Sequence, residues 1–171
     1  MNKKMIFILT VGVFSIINTE MGVVGILPMI AERYQVSIST AGLLVSMFAL
    51  AVAVSGPTMP LLFSGFNRKR VMILVLGVFT VCNVISAFAQ HFPVVLAARV
   101  LPAFFHPIYV SMALSVAGGS VEKKEAPKAV AKVMMGVSAG MVLGVPVVSY
   151  ITGLTSLRIG MLFFAAVNGF V

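Results

Sequence analysis

Long apolar runs separated by short polar stretches divide the chain into six segments. A helix of roughly 20 apolar residues is long enough to cross a bilayer. The alternation of apolar and polar residues that is typical of a membrane β-barrel does not occur in the sequence. Because a backbone in hydrocarbon must satisfy its hydrogen bonds within the segment, the pattern predicts an all-α membrane protein. The predicted helices of this single unit, residues 1–171, cover residues 5–30, 40–64, 71–90, 93–118, 130–151 and 159–171.

The composition indicates that the surface of the folded chain faces a lipid bilayer, which is the first expected partner. Of the 171 residues, 60% are hydrophobic and 9% are charged, and the mean hydropathy is +1.13. A soluble domain carries about 25% charged residues, because its surface must face water. The chain has no aspartate, two histidines and one cysteine, Cys82, which we interpret as a packing residue. We therefore expect no metal site, no cofactor and no enzymatic activity.

The basic residues predict the orientation of the chain. Nine of the twelve lie at the N-terminus and in the second and fourth loops, namely Lys3, Lys4, Arg68, Lys69, Arg70, Lys123, Lys124, Lys128 and Lys132. The other loops contain Arg33 and Arg158. This asymmetry predicts a multi-pass protein of the cell membrane with a cytoplasmic N-terminus. The net charge of +8 does not indicate a nucleic-acid partner, because the basic clusters alternate with apolar spans.

Two ionisable residues lie inside predicted spans. Glu20 is ten residues before the outer end of the first span, and Arg99 is six residues into the fourth. A charged side chain at such a depth costs roughly 2.5–3.5 kcal/mol on insertion scales, so it needs a function or a partner. We expect Glu20 and Arg99 to face a shared polar cavity and to pair. The alternative is an inert ion pair that locks two helices together.

His106 lies on the same predicted helical face as Arg99 and Ala103, at spacings of seven and three residues. A histidine titrates near neutral pH, so His106 could carry a proton or donate to a substrate. Alternatively, it is a neutral side chain bonded to a carbonyl that Pro102 or Pro107 leaves free. Such proline interruptions are tolerated at membrane depth where the backbone lines a cavity or packs on protein.

Other residues point to helix packing. Asn18, Thr19 and Asn83 are polar at membrane depth and could bind substrate or join helices; for Asn83 we favour joining helices. Small residues at a spacing of four form a stripe on which another helix can pack closely. The fifth span has such a stripe, formed by Gly136, Gly140 and Gly144 and followed by Pro146.

The whole chain resembles the N-terminal half of a major facilitator superfamily transporter of the drug:proton antiporter-like type. Within that type it is most similar to the bacterial sugar-efflux and arabinose-efflux-permease branch. The residues of the first two spans that carry the resemblance are Thr19-Glu20, Gly25, Leu27-Pro28, Ala41-Gly42 and Gly56-Pro57.

Three family motifs can be followed in the sequence. The basic cluster Arg68-Lys69-Arg70 matches the gating loop, although Pro60, Ser64 and Asn67 replace its glycine, acidic residue and second glycine. The departure at Ser64 removes the acidic partner of the family's latch.

In the fourth span, Arg99 matches an arginine that the family links to proton coupling, and His106 matches the branch's histidine. Pro102 and Pro107 depart from the motif. In the fifth, Gly136, Gly140, Gly144 and Pro146 match the antiporter motif, whose final glycines are replaced by Val148 and Ser149.

The resemblance implies a six-helix half built from two three-helix inverted repeats, with the substrate site between this half and a second one. It implies a proton-coupled exporter of small organic molecules, of the sugar or drug class. Substrate and protons would then be partners, together with a second six-helix half. The sixth span has only 13 residues, and we expect it to be truncated. Two alternatives stay open: a non-transporting remnant, and a six-helix subunit that acts as a homodimer.

Overall fold

The computed structural model describes residues 3–171, and that part of the chain is all-α. The first two residues of the predicted unit lie outside this range. The helices are α1 (Lys3–Tyr34), α2 (Ile38–Ala41), α3 (Leu43–Ser55), α4 (Met59–Leu62), α5 (Arg68–Phe88), α6 (Phe92–Ala103), α7 (His106–Gly119), α8 (Ala126–Leu154) and α9 (Leu157–Gly169).

Five stretches of the described chain are long and apolar enough to cross a membrane. They are α1, α2 with α3, α5, α6 with α7, and α8, while α9 is a shorter apolar helix of 13 residues. Large apolar side chains such as Phe7, Leu50 and Val142 are more than half exposed on the outside of the bundle. In water such a surface would be unfavourable, and in a bilayer it faces lipid.

The first helix is longer than predicted, and its end has a clear cause. It continues four residues past Ile30 to Tyr34, where Gln35 adopts a left-handed backbone with φ of 52°. The amide of Val36 then donates to the carbonyl oxygen of Ala31 at 3.0 Å. The amide of Gln35 donates to the carbonyl oxygen of Glu32 at 3.3 Å. This pair of bonds is a Schellman motif, which satisfies the last carbonyls of the helix.

Two predicted spans are interrupted rather than continuous. The second ends at Ser55, just before Gly56-Pro57, and resumes only as the short α4. The fourth breaks at Phe104 and Phe105, between α6 and α7. Pro102 and Pro107 have no backbone N–H, so each removes one hydrogen bond from the helix around this break. The stretch from residue 92 to residue 119 still forms one membrane-length span, interrupted between these two prolines.

Successive spans alternate in direction around α1, which lies at the centre of the bundle. The α1 helix runs parallel to α8, because Thr10 faces Gly136 and Gly25 faces Ser149. It runs antiparallel to α6, α7 and α9. The basic residues gather at one end of the bundle, since Lys4 lines one groove with Arg68 and Lys69, and Lys3 lines another with Lys132.

Candidate functional site

Arg99 is buried where α6 meets the middle of α1. Its Nη2 donates to the carbonyl oxygen of Thr19 at 2.7 Å and to that of Glu20 at 2.9 Å. The side chain is 6% exposed, so these charge-assisted hydrogen bonds replace solvation that lipid cannot supply. The guanidinium also lies over the ring of Phe48 from α3, with its Cζ 5.1 Å from the ring centroid. Arg99 thereby joins α1, α3 and α6.

The carboxylate of Glu20 pairs with His106 and not with Arg99. Oε2 of Glu20 lies 3.1 Å from Nε2 of His106, with the two side chains 23% and 12% exposed. The contact has the distance of an ion pair without the alignment of a hydrogen bond. Arg99 and Glu20 do meet, as expected, but through the Glu20 backbone. The break between α6 and α7 places His106 at the start of a new helix, where its ring reaches the carboxylate.

Phe48 is a member of this site that the sequence did not indicate. It is 2% exposed, and its ring lies edge-on to that of His106 with centroids 5.9 Å apart. The Phe48 ring therefore contacts both the guanidinium of Arg99 and the imidazole of His106. An aromatic residue in an apolar span gives no sequence signal of such a role.

Asn168 of α9 is a second member that the sequence analysis missed. Its Nδ2 donates to Oγ1 of Thr19 at 2.7 Å and to the carbonyl of Phe164 at 2.8 Å. The Thr19 hydroxyl in turn donates to the carbonyl of Ser15 at 3.0 Å. An asparagine in an apolar helix is a usable signal, because polar residues at membrane depth are uncommon. The site thus joins α1, α3, α6, α7 and α9.

Asn18 and Asn83 are also buried, at 1% and 8% exposure. Within residues 3–171, neither amide atom of Asn18 has a hydrogen-bond partner, and Nδ2 of Asn83 has none either. The same part of the chain contains no group of three or more His, Cys, Asp or Glu that could hold a metal ion.

A family model of the Major Facilitator Superfamily matches residues 9–171. The chain belongs to the major facilitator superfamily. It is accordingly a multi-pass membrane protein of a transporter family, and it corresponds to the N-terminal half of that family's fold.

Individual relatives are consistent with this family. The chain is 34% identical over 149 residues to the uncharacterized MFS-type transporter YfhI of Bacillus subtilis (strain 168), covering 87% of this chain and 38% of that protein. It is 35% identical over 143 residues to the inner membrane transport protein YdhP of Escherichia coli (strain K12), covering 84% and 37%. It is 28% identical over 141 residues to a probable sugar efflux transporter of Helicobacter pylori (strain G27), covering 82% and 36%. The chain therefore spans less than two fifths of the length of these relatives.

The glycine stripe of α8, formed by Gly136, Gly140 and Gly144, packs against α1. A Cβ on Gly136 would collide with the carbonyl oxygen of Thr10. One on Gly140 would lie 2.8 Å from Cβ of Ile17, and one on Gly144 would lie 3.3 Å from Cβ of Met21. All three glycines are buried. Pro146 follows within the same uninterrupted helix.

The basic cluster that we expected to form a gating loop lies outside the site. Arg68, Lys69 and Arg70 are exposed and form the first turn of α5, three residues earlier than the predicted start of that helix. Asn67 caps the helix by accepting from the amide of Arg70 at 3.3 Å. Ser64 donates to the carbonyl of Leu61 at 2.7 Å, so it takes part in a local turn.

Proposed function

We propose that this chain is the N-terminal half of a proton-coupled exporter of small organic molecules. The observation that carries the proposal is the contact between Glu20 and His106 beside the buried Arg99. Ionisable side chains within membrane spans mark proton relays and substrate pathways in many transporters. This pair is more exposed than Arg99, so protons and solutes can reach it while the guanidinium stays fixed.

The geometry favours proton exchange by the pair. When Glu20 and His106 share one proton, the carboxylate and the imidazolium attract each other and hold α1 to α7. Loss of that proton leaves a carboxylate beside a neutral ring, and gain of a second leaves an imidazolium beside a neutral acid. Both changes remove the attraction, so the proton count of the pair controls the contact between the helices.

We further propose that the substrate belongs to the sugar or drug class and that the N-terminus is cytoplasmic. The relative named as a probable sugar efflux transporter supports the first part. Nine of the twelve basic residues lie at the N-terminus and in the stretches around Arg68–Arg70 and Lys123–Lys132, which supports the second. In this arrangement the pair would face a second six-helix half across the substrate pathway.

Transport in vesicles tests the proposal. The longest reading frame that contains these residues is expressed and reconstituted, and an imposed pH gradient drives uptake or release of labelled sugars and organic cations. We expect Glu20→Gln to uncouple solute movement from the proton gradient, and Arg99→Ala to abolish it. Unchanged coupled efflux in both variants would refute the assignment of these residues.

Matched controls exist for each change. Glu122→Gln removes a carboxylate from the loop before α8, and Arg158→Ala removes an arginine from the first turn of α9. Both residues are exposed and lie outside the site, so coupling should be unaffected. Parallel vesicles that contain only residues 1–171 test the homodimer alternative. Coupled transport by those vesicles would favour a dimer of six-helix subunits.

A further inference from the structure

A small cavity lies beside Arg99, and neither Glu20 nor His106 lines it. It is enclosed by α1, α3, α5, α6 and α9, and its polar lining residues are Arg99, Asn83 and Ser86. These three side chains are 6%, 8% and 6% exposed, so each is more than nine-tenths buried. The rest of the lining is apolar, including Leu44 and Phe164.

Two hydrogen-bond donors on residues that line the cavity have no partner among the described residues. Nη2 of Arg99 is bonded to α1, but its Nε has no partner among the described residues, and neither does Nδ2 of Asn83. The hydroxyl of Ser86 donates to the carbonyl of Cys82 at 2.9 Å, so its oxygen can still accept. A buried donor without a partner is unfavourable, especially on a charged group. The residues that line the cavity therefore carry two donors without a partner and one hydroxyl oxygen that can accept.

We propose that this cavity binds one ordered water molecule. The water accepts hydrogen bonds from Nε of Arg99 and Nδ2 of Asn83 and donates one to Oγ of Ser86. Buried waters make about three hydrogen bonds on average, which matches this set. The cavity volume of about 10 Å³ is near the minimum for a single water. An anion larger than water does not fit, and it could not donate to Ser86.

The water connects α5 to α6, and its hydrogen bond from Nε holds the guanidinium of Arg99 in place. Asn83 and Ser86 are then positioning residues for Arg99, since they act on it through the water and do not touch the Glu20–His106 pair. This last step rests on the proposed coupling role of Arg99. The water site itself does not rest on it.

Nuclear magnetic resonance of the arginine side chains tests the site directly. The chain is labelled with nitrogen-15 at arginine Nε and placed in lipid nanodiscs. The five arginines give five signals, and Arg99→Lys identifies the one from Arg99. In a rotating-frame experiment, we expect the Arg99 Nε–H to show a cross-relaxation peak with a long-lived water, opposite in sign to the exchange peaks of exposed arginines. Absence of that peak in the unmodified chain would overturn the proposal.

Substitutions test whether the water lies in this cavity. Asn83→Leu and Ser86→Ala should each remove or shift the peak, because the water loses a partner. Thr80→Val is the control, since Thr80 lies in the same helix and its hydroxyl donates to its own backbone at Leu76. If Asn83→Leu does not fold, judged by circular dichroism, Ser86→Ala alone decides the result. A peak that survives in every folded cavity variant places the water elsewhere and refutes the site.

The positioning role has a separate readout. In the vesicle assay, Ser86→Ala should change the pH dependence of coupled transport, and the control Thr80→Val should not. If the unmodified protein transports nothing, the proposed function fails. The water peak of Arg99 still tests the water site, because that measurement does not depend on transport. An unchanged pH profile in a variant that has lost the water peak would refute the positioning role alone.

Discussion

The Nε2 atom of His106 lies 3.1 Å from Oε2 of Glu20, which connects the first residue of α7 to the middle of α1. Arg99 binds the backbone of the same turn of α1. One turn of α1 therefore binds Arg99 through two backbone carbonyls and contacts His106 through the Glu20 side chain.

A double-mutant cycle with Glu20→Gln and His106→Gln should show a coupling energy between the two side chains. Either substitution removes the contact between Oε2 of Glu20 and Nε2 of His106 at 3.1 Å. The coupling should be about 1 kcal/mol, the usual size of a polar contact between membrane helices. Unfolding in detergent measures the energies, and a cycle with His91→Gln in place of His106→Gln should give no coupling.

Arg99→Lys should destabilise the chain by about 2 kcal/mol. Lysine keeps the charge, but its compact ammonium cannot donate in the same fork while covering the Phe48 ring. Arg158→Lys is the matched control, because Arg158 also lies over a ring, that of Phe88 at 5.3 Å, and is exposed. Denaturant unfolding compares the two variants. Equal losses would show that the buried contacts of Arg99 do not stabilise the fold.

Gly136→Ala should separate α1 from α8. Its Cβ would meet the backbone oxygen of Thr10, which cannot turn away as a side chain can, so overpacking should cost about 1–3 kcal/mol. Gly153→Ala in the same helix has open space around its Cβ and should be neutral or stabilising by up to about 1 kcal/mol. Thermal unfolding of both variants measures the difference. A Gly136→Ala variant as stable as Gly153→Ala would contradict the close approach of the two helices.

Asn168→Leu and Thr19→Val should be non-additive. The hydrogen bond from Nδ2 of Asn168 to Oγ1 of Thr19 is the link that they share. Interhelical hydrogen bonds in membranes average about 0.6 kcal/mol, with a maximum near 1.7. Asn168→Leu should be the more harmful single change, because it also removes the bond to Phe164. Strict additivity in a double-mutant cycle would mean that this bond adds nothing to stability.

Labelling of single cysteines should place Gly65 in the cytoplasm and His91 outside. In a Cys82→Ala background, Gly65→Cys and His91→Cys each introduce one exposed thiol. A maleimide that cannot cross the membrane, added to intact cells, should react only with the His91→Cys variant. The opposite labelling would reverse the orientation that the basic residues predict.

Much of the site could be predicted because charge in a membrane span is rare. Glu20, Arg99 and His106 were identified from depth and helical spacing, and they do lie together. Their pairing could not be predicted, because the break at Phe104 and Phe105 changes which side chain reaches the carboxylate. Phe48 gave no signal at all, since an aromatic residue in a span contacts lipid and protein equally well.

The sequence by itself determined that the chain is helical, embedded in lipid and asymmetric in charge, because each of these follows from residue counts along one dimension. Its motifs also identified the family that the residue 9–171 match shows. Only the tertiary structure decided that α1 lies parallel to α8 on three glycines, that Asn168 bonds Thr19, and that His106 and not Arg99 pairs with the Glu20 carboxylate. The physical reason is that a span is apolar on its lipid face and on its protein face alike. Hydrophobic periodicity therefore does not show which neighbour each face will contact.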